Sequence, residues 1–146
     1  MDPSDFQTTS SGALFVMPRT SAAWQSARGL WITVAGWAAA AQHVLGASWV
    51  VTPDRVAGAR EVLEWMRSSE PKPGTAPNPL RRAVPAPLVT AAKDVRLFRE
   101  SRHFPDLDDA GPWNGHELAF VWQQHDLFAR AGGRFARRNG VPLVLY

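Results

Sequence analysis

The sequence predicts an α/β protein organised around a parallel sheet, and three observations carry that reading. Short apolar runs recur along the chain and are cut off by proline: Ala13-Leu-Phe-Val-Met17 before Pro18, and Trp49-Val-Val-Thr52 before Pro53. Segments with helical spacing separate such runs, and parallel strands need connections of that kind. The stretch from Glu117 to Tyr146 is the clearest case, reading as strand, helix and strand in succession.

Residues 1–12 are polar and read as a flexible tail ahead of a domain over 13–146. Ala13–Met17 is the first strand. Leu30, Val34, Trp37, Ala41 and Leu45 then repeat at helical spacing, and Trp31, Ala35 and Ala38 make the adjoining face apolar, so a helix covered on most sides is expected. Gly46 stands where a C-terminal cap belongs, and Trp49–Thr52 is the second strand. Asp54 is placed to cap a helix carrying Val56, Ala59, Leu63 and Met66 on one face, with Arg60 and Glu64 on its solvent side. Residues 70–87 hold six prolines and no hydrophobic period, which marks a surface excursion. A further amphipathic helix is expected with Leu88, Ala92, Val95 and Phe98 facing inward. Leu118–Trp122 is a strand, Asp126 an N-cap, and Leu127, Ala131 and Phe135 the buried stripe of the helix that follows. Asn139-Gly140 closes that helix, and Leu143–Tyr146 is the next strand. Gly132 and Gly133 each cost about 1 kcal/mol of helix propensity against alanine, which close approach of helix to sheet would offset.

Composition narrows the function classes. A chain of 146 residues fits one domain with a real core, and 45% hydrophobic against 20% charged residues is an ordinary globular balance. Without cysteine there are no disulfides, thiolate metal sites or cysteine nucleophiles, and a reducing, cytoplasmic setting fits. The net charge is only +3, and the basic residues run from Arg19 to Arg138 among acidic neighbours, unlike the single stripe of a nucleic-acid binder. Leu30–Val51 is uncharged and long enough for a bilayer, but Gln42, His43 and Gly46-Ala-Ser48 fit a buried helix followed by a strand better. His43, His103, His116 and His125 show no metal-ligand spacing, and neither a P-loop, a G-x-S-x-G elbow nor a complete G-x-G-x-x-G is present.

Open parallel sheets bind ligands beyond the carboxyl ends of their strands. The candidates are therefore Arg19, Arg28 and Gly29 after the first strand, and Gln123, Gln124, His125 and Asp126 after the Leu118–Trp122 strand. Arg28-Gly29 reads either as a phosphate-holding helix start or as a plain helix start. His125 reads as a base or as a surface histidine, Asp126 being too close in sequence to orient it. Arg130, Arg134 and Arg138 form a stripe that either meets an anionic ligand or faces water. Trp24, Trp31 and Trp37 are either stacking platforms for sugars or, for the latter two, core.

Two stretches resemble those of a known family. Ala27-Arg-Gly-Leu-Trp-Ile-Thr-Val-Ala-Gly-Trp-Ala, continuing to Leu45-Gly-Ala-Ser-Trp-Val-Val-Thr-Pro53, resembles the opening of GT-B glycosyltransferases of family 4, where a Gly-Gly pair starts the first helix and a G-H-x-V-x-V-x-T-P strand follows. Phe120-Val-Trp-Gln-Gln-His-Asp-Leu-Phe128 and Gly133-Arg-Phe-Ala-Arg-Arg-Asn-Gly-Val-Pro-Leu-Val-Leu145 resemble a later stretch of the same N-terminal domain, and this second block is the more specific.

The resemblance implies a Rossmann-like sheet with flanking helices, one half of a GT-B architecture, facing a second domain across a cleft. The N-terminal half mainly receives the acceptor, a glycan or a lipid-linked glycan; the other half binds the nucleotide sugar. By position, Gly29 matches the second glycine of the loop near the donor phosphates, and Arg28 stands in place of the first. Gln123, Gln124 and His125 match the polar strand end facing the cleft. The E-x7-E region of the C-terminal domain is absent from these residues, so the chain is expected to be truncated, to carry no cofactor, and to transfer no sugar without a missing domain or partner subunit. Lipid-linked acceptors in the family also suggest a location peripheral to the membrane. The rival expectations are a stand-alone interaction domain that binds a protein through its unfinished sheet edge, and a small complete enzyme using the loop from Gln123 to Asp126.

Overall fold

The computed structural model describes residues 11–21, 28–68, 85–102, 104, 107, 111–126 and 128–146. Within them run β1 (Ser11–Val16), α1 (Arg28–Leu45), β2 (Gly46–Val51), β3 (Val56–Gly58), α2 (Ala59–Ser68), α3 (Ala86–Arg102), β4 (Glu117–Gln123), α4 (Ala131–Asn139) and β5 (Leu143–Leu145). The strands form one sheet in the order β3-β2-β1-β4-β5. β1 is central and parallel to both β2 and β4, β4 is parallel to β5, and β3 alone runs antiparallel, against β2. The expected α/β, Rossmann-like fold is present.

Period-two alternation sorts β1 onto two faces. Ala13, Phe15 and Met17 point toward α1 and α2, where Trp31, Val34, Ala35, Ala38, Ala59 and Val62 meet them with Val50 and Trp122. Leu14 and Val16 point the other way, to α4, with Val51, Val121, Phe135, Ala136, Leu107 and Trp113. Both faces of the central strands are thus covered, as a parallel sheet requires. The buried Ser48 hydroxyl donates to the Ala38 carbonyl at 2.6 Å, tying β2 to the helix above it. Gly46, at φ 95°, turns α1 directly into β2 in a conformation that a side chain would strain.

Several expectations change. β1 begins at Ser11, so the tail is shorter than residues 1–12. A Cβ on Gly12 would lie 2.7 Å from the Trp49 ring, which explains a glycine within a strand. The buried stripe of α1 is Trp31, Val34, Ala35 and Ala38. Trp37 is 39% exposed, and Ile32 and Val44 also face outward, so this helix is covered on one side rather than most. The chain after Pro53 first forms β3, and α2 starts only at Ala59. Its buried residues are Ala59 and Val62, with Leu63 and Met66 packed beside them and Val56 exposed on β3. Arg60 and Glu64 lie on the exposed side as expected.

The proline-rich excursion falls mainly on residues 69–84, outside the described ones. Its end is corrected, because Pro87 belongs to the first turn of α3, where a missing N–H costs nothing. The inward face expected of α3 is overturned: Leu88 is 61%, Val95 52% and Phe98 46% exposed, and Ala92 is exposed too. This helix touches the sheet layers sparingly, and Phe98 sets its ring edge-on against Phe128 at 5.5 Å. A periodic apolar stripe shows that a helix has a sticky side without showing that anything covers it. Among the described residues no helix is long and apolar enough to cross a membrane.

The start of α4 also moves. Asp126 does not cap it: its Oδ1 accepts from the Phe128 N–H at 3.1 Å, a local turn, and the helix begins at Ala131. Ala131 and Phe135 are buried as expected, while Leu127 lies outside the described residues. Gly140 closes the helix in the left-handed conformation, φ 65°, its N–H donating to the Ala136 carbonyl.

Candidate functional site

β2 follows β1 to one side of the sheet, whereas β4 lies on β1's other side. Between the carboxyl ends of β1 and β4 the strand order reverses, and such a point opens a crevice. The backbone fixes its rim. Gln124 N–H donates to the Val16 carbonyl at 3.1 Å, Met17 N–H to the Val51 carbonyl at 2.8 Å, and His125 N–H to the Tyr146 carbonyl at 2.7 Å. The loops after β1 and β4 therefore start level with each other, and Arg19 and Gln124 begin at the same end of the sheet.

Among the described residues, three buried side-chain atoms find no hydrogen-bond partner: Arg19 Nε, Gln124 Oε1 and Trp31 Nε1. All three belong to the carboxyl end, in the β1–α1 connection, the β4–α4 connection and the first turn of α1. A buried polar atom without a partner costs about 1–3 kcal/mol, so Arg19 Nε and Gln124 Oε1, in the two loops that leave this end of the sheet, are each placed to take a partner from a bound group. Arg19 Nε–H is a cationic donor seeking an acceptor. Gln124 Oε1 is an acceptor seeking a hydroxyl or amide hydrogen.

Gln123 has a different task. It is 4% exposed, its Nε2 donates to the Ala129 carbonyl at 2.7 Å, and its Oε1 accepts from the Gly133 N–H at 3.0 Å. Both ends of its amide hold the β4–α4 connection against the helix start, so it builds the crevice wall rather than facing the cleft. Gly132 makes room for it, since a Cβ there would lie 2.6 Å from Gln123 Oε1 and 3.2 Å from Val16 Cγ2. The close approach expected of the glycine pair holds at Gly132; at Gly133 a Cβ would make ordinary contact, 3.6 Å from Leu143 Cδ2.

The remaining candidates are spread along the rim. The His125 side chain is exposed, and Asp126 is engaged by Phe128. Arg28 and Gly29 are exposed at the first turn of α1, and a Cβ on Gly29 would meet nothing within 4 Å, so packing does not demand glycine there.

A clamp that sequence spacing gave no sign of closes the neighbouring end of β2. Asp54 accepts from Ser21 N–H at 2.7 Å, from the Ser21 hydroxyl at 2.5 Å and from the Thr52 hydroxyl at 2.9 Å. Thr52 also ties the turn through the Arg55 carbonyl and N–H. Partial burial raises the Asp54 pKa, but the bonds from Ser21 and Thr52 together outweigh it and hold the carboxyl below its ordinary value. The Arg55 contact, 4.0 Å at an exposed position, adds little. A depressed carboxylate stabilises the fold above its ordinary pKa and loses that contribution as pH falls through the folded-state value. Urea midpoints measured between pH 6 and about pH 3 are expected to fall more steeply for the native chain than for Asp54→Asn; parallel curves would disprove the clamp.

No family model, curated protein or solved structure matches this chain. At the carboxyl edge, where the strand order reverses, the chain holds a buried cationic donor and a buried amide acceptor without partners among the described residues.

Proposed function

We propose that this chain is the acceptor-side half of a two-domain glycosyltransferase of the GT-B kind, holding a polar acceptor at the carboxyl edge of its sheet while a second domain or subunit binds the nucleotide sugar. The observation that carries this reading is the unpaired pair Arg19 Nε and Gln124 Oε1 at the switch point. Together they complement a ligand that offers an anionic or carbonyl oxygen beside a hydroxyl, which sugars and sugar phosphates do. The sequence resemblance supports the same half of the same architecture. Transfer from a sugar nucleotide depends on stabilising the departing diphosphate, which in this reading falls to the second domain, so this chain alone is expected to turn over no donor.

Calorimetry with a panel of sugar phosphates and nucleotide sugars tests the reading. Sugar phosphates are expected to bind, and Arg19→Ala to weaken them roughly ten- to hundred-fold, the worth of a charge-assisted hydrogen bond. Tight binding of nucleotide sugars by this chain alone, or binding indifferent to Arg19 and Gln124, would overturn it.

A second reading, an interaction domain without catalysis, is favoured by a separate observation. Beside β5 lies an apolar groove of about 510 Å³, lined by Phe15, Trp37, Val44, Trp122, Val144 and Tyr146. It lies at the sheet edge rather than in the crevice.

A further inference from the structure

Arg19 stands on a very short arch. At its near end Met17 N–H donates to the Val51 carbonyl at 2.8 Å, and at its far end Ser21 N–H donates to Asp54 Oδ1 at 2.7 Å. Both anchors belong to the carboxyl end of β2 and the turn after it, so only Pro18, Arg19 and Thr20 span the gap between them. Pro18 fixes its own φ, which removes further freedom. The arch carries the buried Arg19 Nε, which has no partner among the described residues.

The far anchor is itself braced. Asp54 Oδ1 also accepts from the Thr52 hydroxyl at 2.9 Å, and Oδ2 accepts from the Ser21 hydroxyl. Thr52 is buried, and its oxygen accepts from the Arg55 N–H at 3.2 Å, so the turn presenting the carboxylate is tied from beneath. Ser21 meets both carboxylate oxygens, one through its N–H and one through its hydroxyl, and a two-point bond to a charged group fixes direction as well as distance. Gln124 needs no such clamp. Its N–H donates to the Val16 carbonyl at 3.1 Å, so the strand ladder places it directly.

We propose that Asp54 is a positioning residue for the crevice: by holding Ser21 it keeps the Pro18–Thr20 arch ordered, so that Arg19 meets the acceptor without first being immobilised. This role rests on the acceptor-side reading of the crevice and adds to it the group that keeps the cationic donor in place. A preformed site avoids the cost of ordering a residue at the moment of binding. For one backbone position that cost amounts to roughly five- to thirty-fold in affinity.

Two measurements on the full chain test it. Phenylglyoxal modifies guanidinium groups, and peptide mass spectrometry reads Arg19 separately from the exposed Arg60. Asp54→Ala is expected to speed modification of Arg19 several-fold and to leave Arg60 unchanged. Asp54→Asn, which keeps an acceptor for the Ser21 N–H, is expected to fall between Asp54→Ala and the native chain. Val62→Ala, a core change on α2, lowers stability without touching the clamp and is expected to move neither rate. In calorimetry with glucose 1-phosphate, Asp54→Ala is expected to bind roughly five- to thirty-fold more weakly than the native chain, and Val62→Ala to bind equally well. An unchanged Arg19 rate in Asp54→Ala would overturn the proposal. So would native affinity in that variant, or a Val62→Ala chain that shifts as far. A native chain that binds no sugar phosphate would remove the acceptor reading instead, and Arg19 reactivity would then decide by itself whether Asp54 holds the arch.

Discussion

Phe15→Ala is expected to cost about 3–5 kcal/mol, a large share of the roughly 5–15 kcal/mol that holds a domain folded. Phe15 stands at the middle of the central strand and is 1% exposed. Its ring meets Phe120 edge-on and Trp122 at a tilt, with both centroids 5.9 Å away. Neighbouring strands hold it from both sides through the pairings Phe15↔Val50 and Phe15↔Trp122. None of these neighbours can move into the vacated volume without breaking its own ladder, so the cavity remains and the full large-to-small penalty applies. Chemical denaturation followed by tryptophan fluorescence measures the loss. A cost under about 1 kcal/mol would show that the face toward α1 is loosely packed.

Gly132→Val is the second large effect, and its cause is the opposite one. Alanine at this position would gain about 1 kcal/mol of helix propensity, yet its Cβ would already press on Gln123 Oε1 and Val16. Gln123 cannot swing aside freely, because its amide is bonded to Ala129 and Gly133. Displacing it strands a buried carbonyl and a helix N–H at about 1–3 kcal/mol each, and the two valine methyls add overpacking of similar size. The net expectation is a loss of about 3 kcal/mol or more for Gly132→Val, with Gly132→Ala between it and the native chain. Thermal unfolding of the three proteins ranks them. Gly132→Ala more stable than the native chain would mean that helix propensity dominates and that the fit around Gln123 is looser than it looks.

The layers of this fold were legible where the sequence speaks locally. Ala13–Met17 and Trp49–Thr52 are short apolar runs with a proline behind them, and β1 and β2 run through both, allowing for shifted ends. Gly140 after a helical period signals a left-handed cap, and Gly140 makes one. β3 escaped because Val56-Ala57-Gly58 is only three residues long, with no apolar run of its own; it exists because β2 offers it an edge. Asp126 was misplaced because the same chemistry, a short carboxylate accepting a nearby N–H, serves a turn as readily as a helix cap. α3 misled because spacing can show an amphipathic helix without showing its partner.

The site divides in the same way. That Arg19 and Gln124 belong to carboxyl-end loops follows from the order of strands and helices alone. That their polar atoms are buried and unpaired, that Gln123 is committed to structure, and that Ser21 reaches Asp54 across 33 positions all depend on tertiary approach, which no local pattern encodes.

The central position of β1 has a consequence for how the chain is made. Val16 pairs in register with Val51, 35 positions away, and with Gln123, 107 positions away. Closing the longer loop costs about 1 kcal/mol more entropy than closing the shorter. β1, α1 and β2 can therefore assemble first, and at ordinary translation speeds one side of β1 then waits roughly 4–14 s for β4 to be synthesised. During that interval an apolar strand edge, later the most deeply enclosed in the molecule, stands open, and the nascent protein is at its most vulnerable to wrong partners.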